Sequence, residues 1–464
     1  MAGGGAAGLL AALQLARAGH AVTVLDRDLL EAAPDVESAA ASAFRPAAPQ
    51  IVQAHLVMAR CRELIRQRLP DVYADLLAAG VVESPLTAQM PAALPDRTPQ
   101  PGDERLTLLL TRRSTVDWVL RRTAQAEPGI TLGGGVRVTG LAAEPGRPPH
   151  VTGVHTDHGN FAADLVIDAT GRRSPIDRWL GQLGAARTAT WQAECGVAYF
   201  TRHYRLRPGM RPPDDAMLRT ITGLDEFTAG RWPADNGSVM LAVAPLAADR
   251  RFRTLGQPEM FTEVLRAIPG YSDWLDVLEP ISGVYPMAGL RNTLRRLVRD
   301  QAPVVTGLHA IGDTVCTTNP TLGRGLSLAI TGAADLIDTL ERHESDPVAQ
   351  AISLDALVAA HIAPFYEDQA VIDAQRLAGL RHAIFGEAAP APDPSPAVSG
   401  RVSNAQLRAA APFDPVLFRA YWKLLGMLCH PAEIYHDPEV VARTDEILRR
   451  DGTRPQSAQF QLTR

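Results

Sequence analysis

The stretch Met1–Asp28, MAGGGAAGLLAALQLARAGHAVTVLDRD, decides the fold. Gly3, Gly5 and Gly8 make a G-x-G-x-x-G, an apolar helix follows, and Val22–Leu25 reads as a strand running into Asp26. The spacing has a mechanism. Gly3 permits the tight turn, Gly5 lets the backbone approach a pyrophosphate, and Gly8 lets the helix pack on the sheet. The free N–H groups of the first helical turn, at Ala6 and Ala7, then hold the pyrophosphate. Asp26, about 20 residues on, is spaced to accept from a ribose hydroxyl, with Arg27 beside it. The pattern predicts an α/β, Rossmann-like dinucleotide site. Its bland alternative is a glycine-rich tail ahead of a packed helix.

A unit of this kind is β-α-β, and its glycine turn follows a buried strand. Only Met1 and Ala2 precede Gly3 here. The first strand, ordinarily central in the sheet, is therefore expected to be missing from this chain, with translation starting upstream.

Composition bounds the rest. A chain of 464 residues predicts two or three domains. A hydrophobic fraction of 46% is ordinary for a globular protein, and no run approaches the roughly 18 apolar residues of a membrane span. With the motif at the start of the sequence, no secretory signal is expected. The net charge of −5 gives no basic footprint for nucleic acid. The basic residues are almost all Arg, with Lys423 the single Lys, a bias of genome composition more than of function. Cys61, Cys195, Cys316 and Cys429 are scattered without metal-ligand spacing. No metal site is expected, and a cytoplasmic protein with reduced thiols is the default.

Two further segments name the dinucleotide. In Asp164–Ser174, DLVIDATGRRS, a strand at Leu165–Ile167 ends in a turn at Gly171. In Leu308–Leu336, LHAIGDTVCTTNPTLGRGLSLAITGAADL, a strand at His309–Ile311 ends at Gly312-Asp313. A loop through Pro320, Gly323 and Gly325 follows, then a helix from about Leu326. A strand-end acid and a glycine-rich helix start suit a polyol chain and a phosphate or carbonyl oxygen. Alone, either segment is more often a plain strand–turn–helix.

Together with the N-terminal motif they resemble flavoprotein monooxygenases of the p-hydroxybenzoate-hydroxylase type and their FAD-dependent epoxidase relatives. Gly312, Asp313, Pro320, Gly323, Gly325, Ala333 and Leu336 keep the register of that family's GD…P-x-x-G-x-G motif. The resemblance implies FAD, with Asp313 on the ribityl chain and the Pro320–Gly325 loop near the isoalloxazine. Arg113, in TRRSTVDWVLRR, matches an Arg-x-x-aliphatic helix start near the phosphates, and Asp26 would hold the adenosine ribose.

Departures from the family refine this. Hydroxylases carry A-D-G where this chain has Ala169-Thr170-Gly171. That aspartate belongs to a motif tied to FAD and NAD(P)H, so use of NAD(P)H is expected to be indirect, through a separate flavin reductase or free reduced flavin. The D-A-T-G form, with Arg45, Pro49, Gln50 and His55, resembles the epoxidase, halogenase and prenyl-reductase branch. A long helix is expected from about Ala54, and His55 at its start reads as a cap or core residue more readily than as a base.

The expected organisation is a discontinuous FAD-binding domain at 1–184 and 285–345, a β-rich substrate domain at 185–284, and a helical region at 346–464. Within the second, Ala193–Arg205 and Gly237–Pro245 read as strands and Met260–Ile268 as a helix. Phe418–Cys429 reads as a helix packed on the pocket. The implied function is monooxygenation or epoxidation, with one oxygen atom of O2 passed from reduced flavin to an apolar small-molecule metabolite. Two alternatives stay open: a flavin-dependent reductase or dehydrogenase of isoprenoid-like double bonds, and a non-catalytic binding protein on a flavoprotein fold. A halogenase is disfavoured, since no W-x-W-x-I-P is present. The residues name no catalytic side chain.

Overall fold

Two parallel ladders meet at Ala2. In the computed structural model, Val22–Asp26 pairs with Ile130–Gly134, and Val166–Asp168 pairs with Leu308–Ala310. Ala2 bridges Leu25 on one side and Asp168 on the other. Its N–H donates to the Ile167 carbonyl and its carbonyl accepts from the Ala169 N–H, both at 2.8 Å. The Met1 carbonyl accepts from the Leu25 N–H at 2.9 Å. The central position expected to be empty is therefore held by Met1–Gly3, which joins both ladders into one parallel sheet.

The structure describes residues 1–45, 48–91, 94–213 and 220–451. Residues 452–464, the end of the expected helical region, lie outside the described residues, as do residues 214–219 of the β-rich stretch.

The glycine turn feeds a helix at Ala6–Arg17, buried over most of its length. Leu9, Leu10 and Leu13 are fully buried in one core with Leu326, Ile330 and Leu336 of the helix Gly325–Arg342 and Val116 and Leu120 of the helix Arg113–Ala126. Burying each such side chain contributes roughly 1.5–3 kcal/mol, so this core anchors the turn.

A second, antiparallel sheet has five strands in the order Thr220–Gly223, Phe227–Pro233, Ser238–Pro245, Tyr199–Leu206, Leu278–Met287. Strand residues alternate between faces. Phe227, Val239, Leu241, Val243 and Tyr204 pack against Phe261 and Trp274 of the helices Pro258–Arg266 and Ser272–Val277. Thr201, Thr228, Gly230, Trp232, Ala242 and Ala244 take the other face and look into a cavity.

Two expected elements differ from the observed ones. The helix expected from Ala54 begins at Ala59, because Val57 is extended and exchanges both backbone hydrogen bonds with Leu109, at 3.0 and 2.9 Å. The strand expected over Ala193–Arg205 is two strands in different sheets. Ala189–Glu194 pairs with Arg291–Arg296, and the chain turns at Gly196 before Tyr199–Leu206.

The C-terminal part is helical, with Pro347–His361, Ala363–Phe385, Pro415–Leu425 and Pro438–Asp451. From Pro415–Leu425, Phe418, Trp422 and Leu425 pack on Leu56, Met58 and Leu322 beside the cavity. Among the described residues, the stretch Pro347–Phe385 is long and apolar enough to cross a membrane by length and composition, which reading residue by residue did not register. It is two helices, and 44% of its most apolar window is buried against the rest of the chain.

Candidate active site

A cavity of about 580 Å³ runs between the two sheets. Gly3, Gly5, Ala6, Ala7, Asp26, Arg27, Arg113, Gly171, Asp313, Pro320, Gly323 and Gly325 all line it. Gly8 and Gly312 lie behind its wall. A Cβ on Gly8 would stand 2.0 Å from the Gly3 carbonyl oxygen, and one on Gly312 would stand 2.5 Å from the Ala7 Cβ. Both glycines let the turn close.

At the glycine-turn end the backbone is set for an anion. Gly3 has φ +108°, and a Cβ there would stand 2.4 Å from the Ala169 carbonyl oxygen, so no side chain fits. Gly5 caps the helix without a side-chain hydrogen bond, leaving first-turn N–H groups free toward the cavity. Arg113 opens its helix, where its Nε pairs with Asp117 at 2.5 Å and its other nitrogens remain for a ligand.

Asp26 is spoken for in part. One carboxylate oxygen accepts from the Gly4 N–H at 2.7 Å, and the other accepts from the Asp28 N–H at 2.8 Å and from Arg45 at 3.2 Å. A carboxylate offers about four acceptor positions, so one remains for a hydroxyl. Arg45 bridges Asp26 to Asp28 and also lines the cavity. It was legible only as part of a motif, without a role.

The Asp168–Gly171 turn is held from within. Asp168, fully buried, accepts from the Thr170 N–H at 2.9 Å, from the Thr170 hydroxyl at 2.6 Å and from Ser174. The Gly171 N–H donates to the Thr314 hydroxyl at 3.0 Å. Burial pushes the Asp168 carboxyl above the ordinary carboxylate range. Burial also raises Asp313, against Arg113 and Arg172, which pull it down.

The other end of the cavity is formed by Gln53, His55, Met58, Tyr199, Thr201, Thr228, Trp232, Ala242, Ala244, Met287 and Leu290. None of these side chains is charged at neutral pH. Burial, with Arg113 nearby, pushes His55 down to about 3, and its buried Nε2 has no hydrogen-bond partner. Thr318 likewise carries a buried hydroxyl without a partner. Of this end the sequence offers His55 and a β-rich substrate domain, but not Tyr199, Trp232 and Met287, which lie on separate strands where only strand alternation hints at their shared face. Among the described residues no His/Cys/Asp/Glu cluster could hold a metal ion.

No family model matches the chain. Protein Rv3254 of Mycobacterium tuberculosis (strain ATCC 25618 / H37Rv) is 27% identical over 375 residues, 74% of this chain and 73% of that protein. Among solved structures, the flavin-dependent brominase Bmp2 superposes with TM-score 0.63 at 15% identity, covering 97% of this chain and 98% of Bmp2. The p-nitrophenol 4-monooxygenase PnpA from Pseudomonas putida DLL-E4 gives 0.58 at 15% identity, covering 93% of this chain and 97% of PnpA. P. aeruginosa PqsL in complex with 2-aminobenzoylacetate gives 0.58 at 16% identity, covering 83% of this chain and 97% of PqsL. The chain shares the fold of these three solved proteins. On that fold, the glycine turn, Asp26, Arg113 and Asp313 face one end of a single cavity, and the antiparallel sheet floors the other.

Proposed function

We propose that the chain is an FAD-dependent monooxygenase acting on an uncharged, largely apolar small molecule. One observation carries this reading: the dinucleotide-type backbone cradle and the uncharged sheet floor share one cavity. The residues fit FAD. The cradle excludes side chains at Gly3 and Gly8, free helix N–H groups and Arg113 suit a pyrophosphate, and His55 Nε2 and Thr318 Oγ1 are buried polar atoms without protein partners. In this reading Gly3, Gly5, Ala6, Ala7 and Arg113 hold the phosphates, Asp26 and Arg27 the adenosine side, and Asp313 with Gly171 the polyol. Pro320, Gly323 and Gly325 offer backbone to the ring.

Bound and reduced, FAD supplies the electrons with which O2 is split between product and water. The side chains do the rest. The apolar wall of Met58, Trp232, Met287 and Leu290 orients the substrate and excludes water. His55, held neutral, offers a ring nitrogen as a hydrogen-bond donor or acceptor without adding charge. We assign residues 1–184 and 285–345 to cofactor binding, 185–284 to the substrate floor, and 346–464 to support of both. Electrons come from a separate reductase or free reduced flavin, since Thr170 brings no carboxylate to the middle motif.

The test is anaerobic photoreduction of the purified protein followed by air, with spectra and oxygen consumption recorded. Yellow protein whose reduced form consumes O2 faster when substrate candidates are present supports the proposal. Colourless protein that takes up no added FAD sinks it, and flavin reoxidised only by an organic acceptor turns it into a reductase.

A further inference from the structure

The loop that lines the cavity from Pro320 to Gly325 is gripped from behind by the long helix Ala363–Phe385. At its first end Asn319 is almost wholly buried and caps the short turn Pro320–Leu322. The Asn319 Nδ2 donates to both carboxylate oxygens of Asp373, each at 3.1 Å. Asp373 is fully buried and also accepts from Asn292 at 2.7 Å, Gln369 at 3.0 Å and Arg376 at 2.6 Å. Arg376 uses a second nitrogen to donate to the Thr321 hydroxyl at 3.0 Å. At the other end Arg324, fully buried, pairs with Asp368 and donates to the Phe365 carbonyl at 2.8 Å. One helix therefore holds residues 319, 321 and 324 of one loop.

The grip has a direction. As a carboxylate Asp373 accepts only, so the Asn319 amide cannot flip without setting its oxygen against it. Its Oδ1 must then face Tyr199, whose hydroxyl donates to it. Tyr199 lines the cavity. A single buried carboxylate thus fixes the loop backbone through Asn319 and the orientation of a cavity-lining phenol through the same amide.

We propose that Asp373 is a positioning residue of the flavin site, acting through Asn319 on the Pro320–Gly325 loop and on Tyr199. The inference rests on the FAD reading. It makes the docking of the long C-terminal helix a condition of tight cofactor binding. A carboxylate that served only as core glue would stabilise the fold and leave flavin affinity and spectrum alone.

The experiment titrates the apoprotein with FAD and records flavin fluorescence, visible circular dichroism and the thermal midpoint. Wild type comes first, and failure to bind FAD there overturns the functional reading rather than this one. Asp373→Asn should weaken FAD by about tenfold or more, the loss that goes with a hydrogen bond to a charged group, and should change the visible dichroism. Asn319→Ala should do the same, and the double variant should be no weaker than Asp373→Asn, because the two act in series. A lowered midpoint with unchanged FAD affinity and dichroism overturns the proposal, as do two effects that multiply. If Asp373→Asn does not fold, Asn319→Ala and Tyr199→Phe decide. A shift in affinity or dichroism supports the proposal, and wild-type values in both overturn it.

Discussion

The Trp232 ring lies so close over Gly230 that a Cβ on the glycine would stand 2.0 Å from it. Both residues line the cavity on the sheet floor. Gly230→Ala must therefore push the indole aside. Overpacking of this kind costs about 1–3 kcal/mol, which a denaturant midpoint would register. The glycine turn lies at the other end, so FAD affinity should stay within about twofold, less than the roughly tenfold that 1.4 kcal/mol makes. An unchanged midpoint would mean that the ring is not seated on the floor.

The floor also predicts a charge preference. Gln53, Tyr199, Thr201, Thr228 and Trp232 offer hydrogen bonds but no cation. A carboxylate there would lose its hydration without a partner, a cost of several kcal/mol. Of 4-hydroxyacetophenone and 4-hydroxybenzoate, only the neutral ketone should perturb the bound flavin spectrum at millimolar concentration, the range of a roughly −4 kcal/mol interaction. Tighter binding of the acid would show that one of the cavity arginines reaches the substrate.

How much was legible follows from sequence distance. Gly3, Gly5, Asp26, Gly171 and Asp313 sit in short strand–turn–helix units, where spacing carries geometry, whereas Arg113 is legible only through the family resemblance; the cavity lining includes them all. Ala2 was harder, since two residues do not read as a strand, yet hydrogen bonds on both sides bridge it to Leu25 and Asp168. The Asn319–Asp373 and Tyr199–Asn319 contacts join residues 54 and 120 positions apart. No local pattern announces them. The helix start near Ala54 failed for a similar reason, because pairing of Val57 with Leu109 overrides a locally plausible helix.

Thr170 carries a prediction about electron supply. Its hydroxyl is turned inward onto Asp168 at 2.6 Å, so the middle motif offers the cavity no second carboxylate. Stopped-flow mixing of oxidised, FAD-loaded protein with NADPH or NADH should give slow flavin reduction, and an added flavin reductase should restore turnover. Fast reduction stimulated by substrate would overturn indirect electron supply.

Asp313→Ala tests the polyol end. The carboxyl is half-buried in the cavity wall, near Arg113 and Arg172. Losing a hydrogen bond to a charged group costs roughly 1.5–3 kcal/mol, about ten- to a hundredfold in FAD affinity. Equilibrium titration of the apoprotein reads this directly, and wild-type affinity would remove Asp313 from the site.

Stability should fall in mild acid, and the sign follows from the buried imidazoles: His55, pushed down to about 3, and two more, His203 and His309. Burial pushes His203 down to about 4, where its Nε2 lies 2.9 Å from the Val52 carbonyl, and pushes His309 down to about 4 as well. Unfolded, each titrates near 6.5. Between pH 6.5 and 4 the unfolded chain therefore binds protons that the fold excludes, so stability drops as pH falls through that window and is insensitive to these groups above it. Each imidazole contributes a slope of up to about 1.4 kcal/mol per pH unit. Asp168 and Asp313, raised by burial, act with the opposite sign, so one histidine has to be isolated by substitution. Denaturant midpoints of wild type and His309→Gln at pH 7 and pH 5 make that subtraction. The variant should be less stable at pH 7 and lose less on acidification, and an identical pH slope in the two proteins would mean that His309 is charged in the fold.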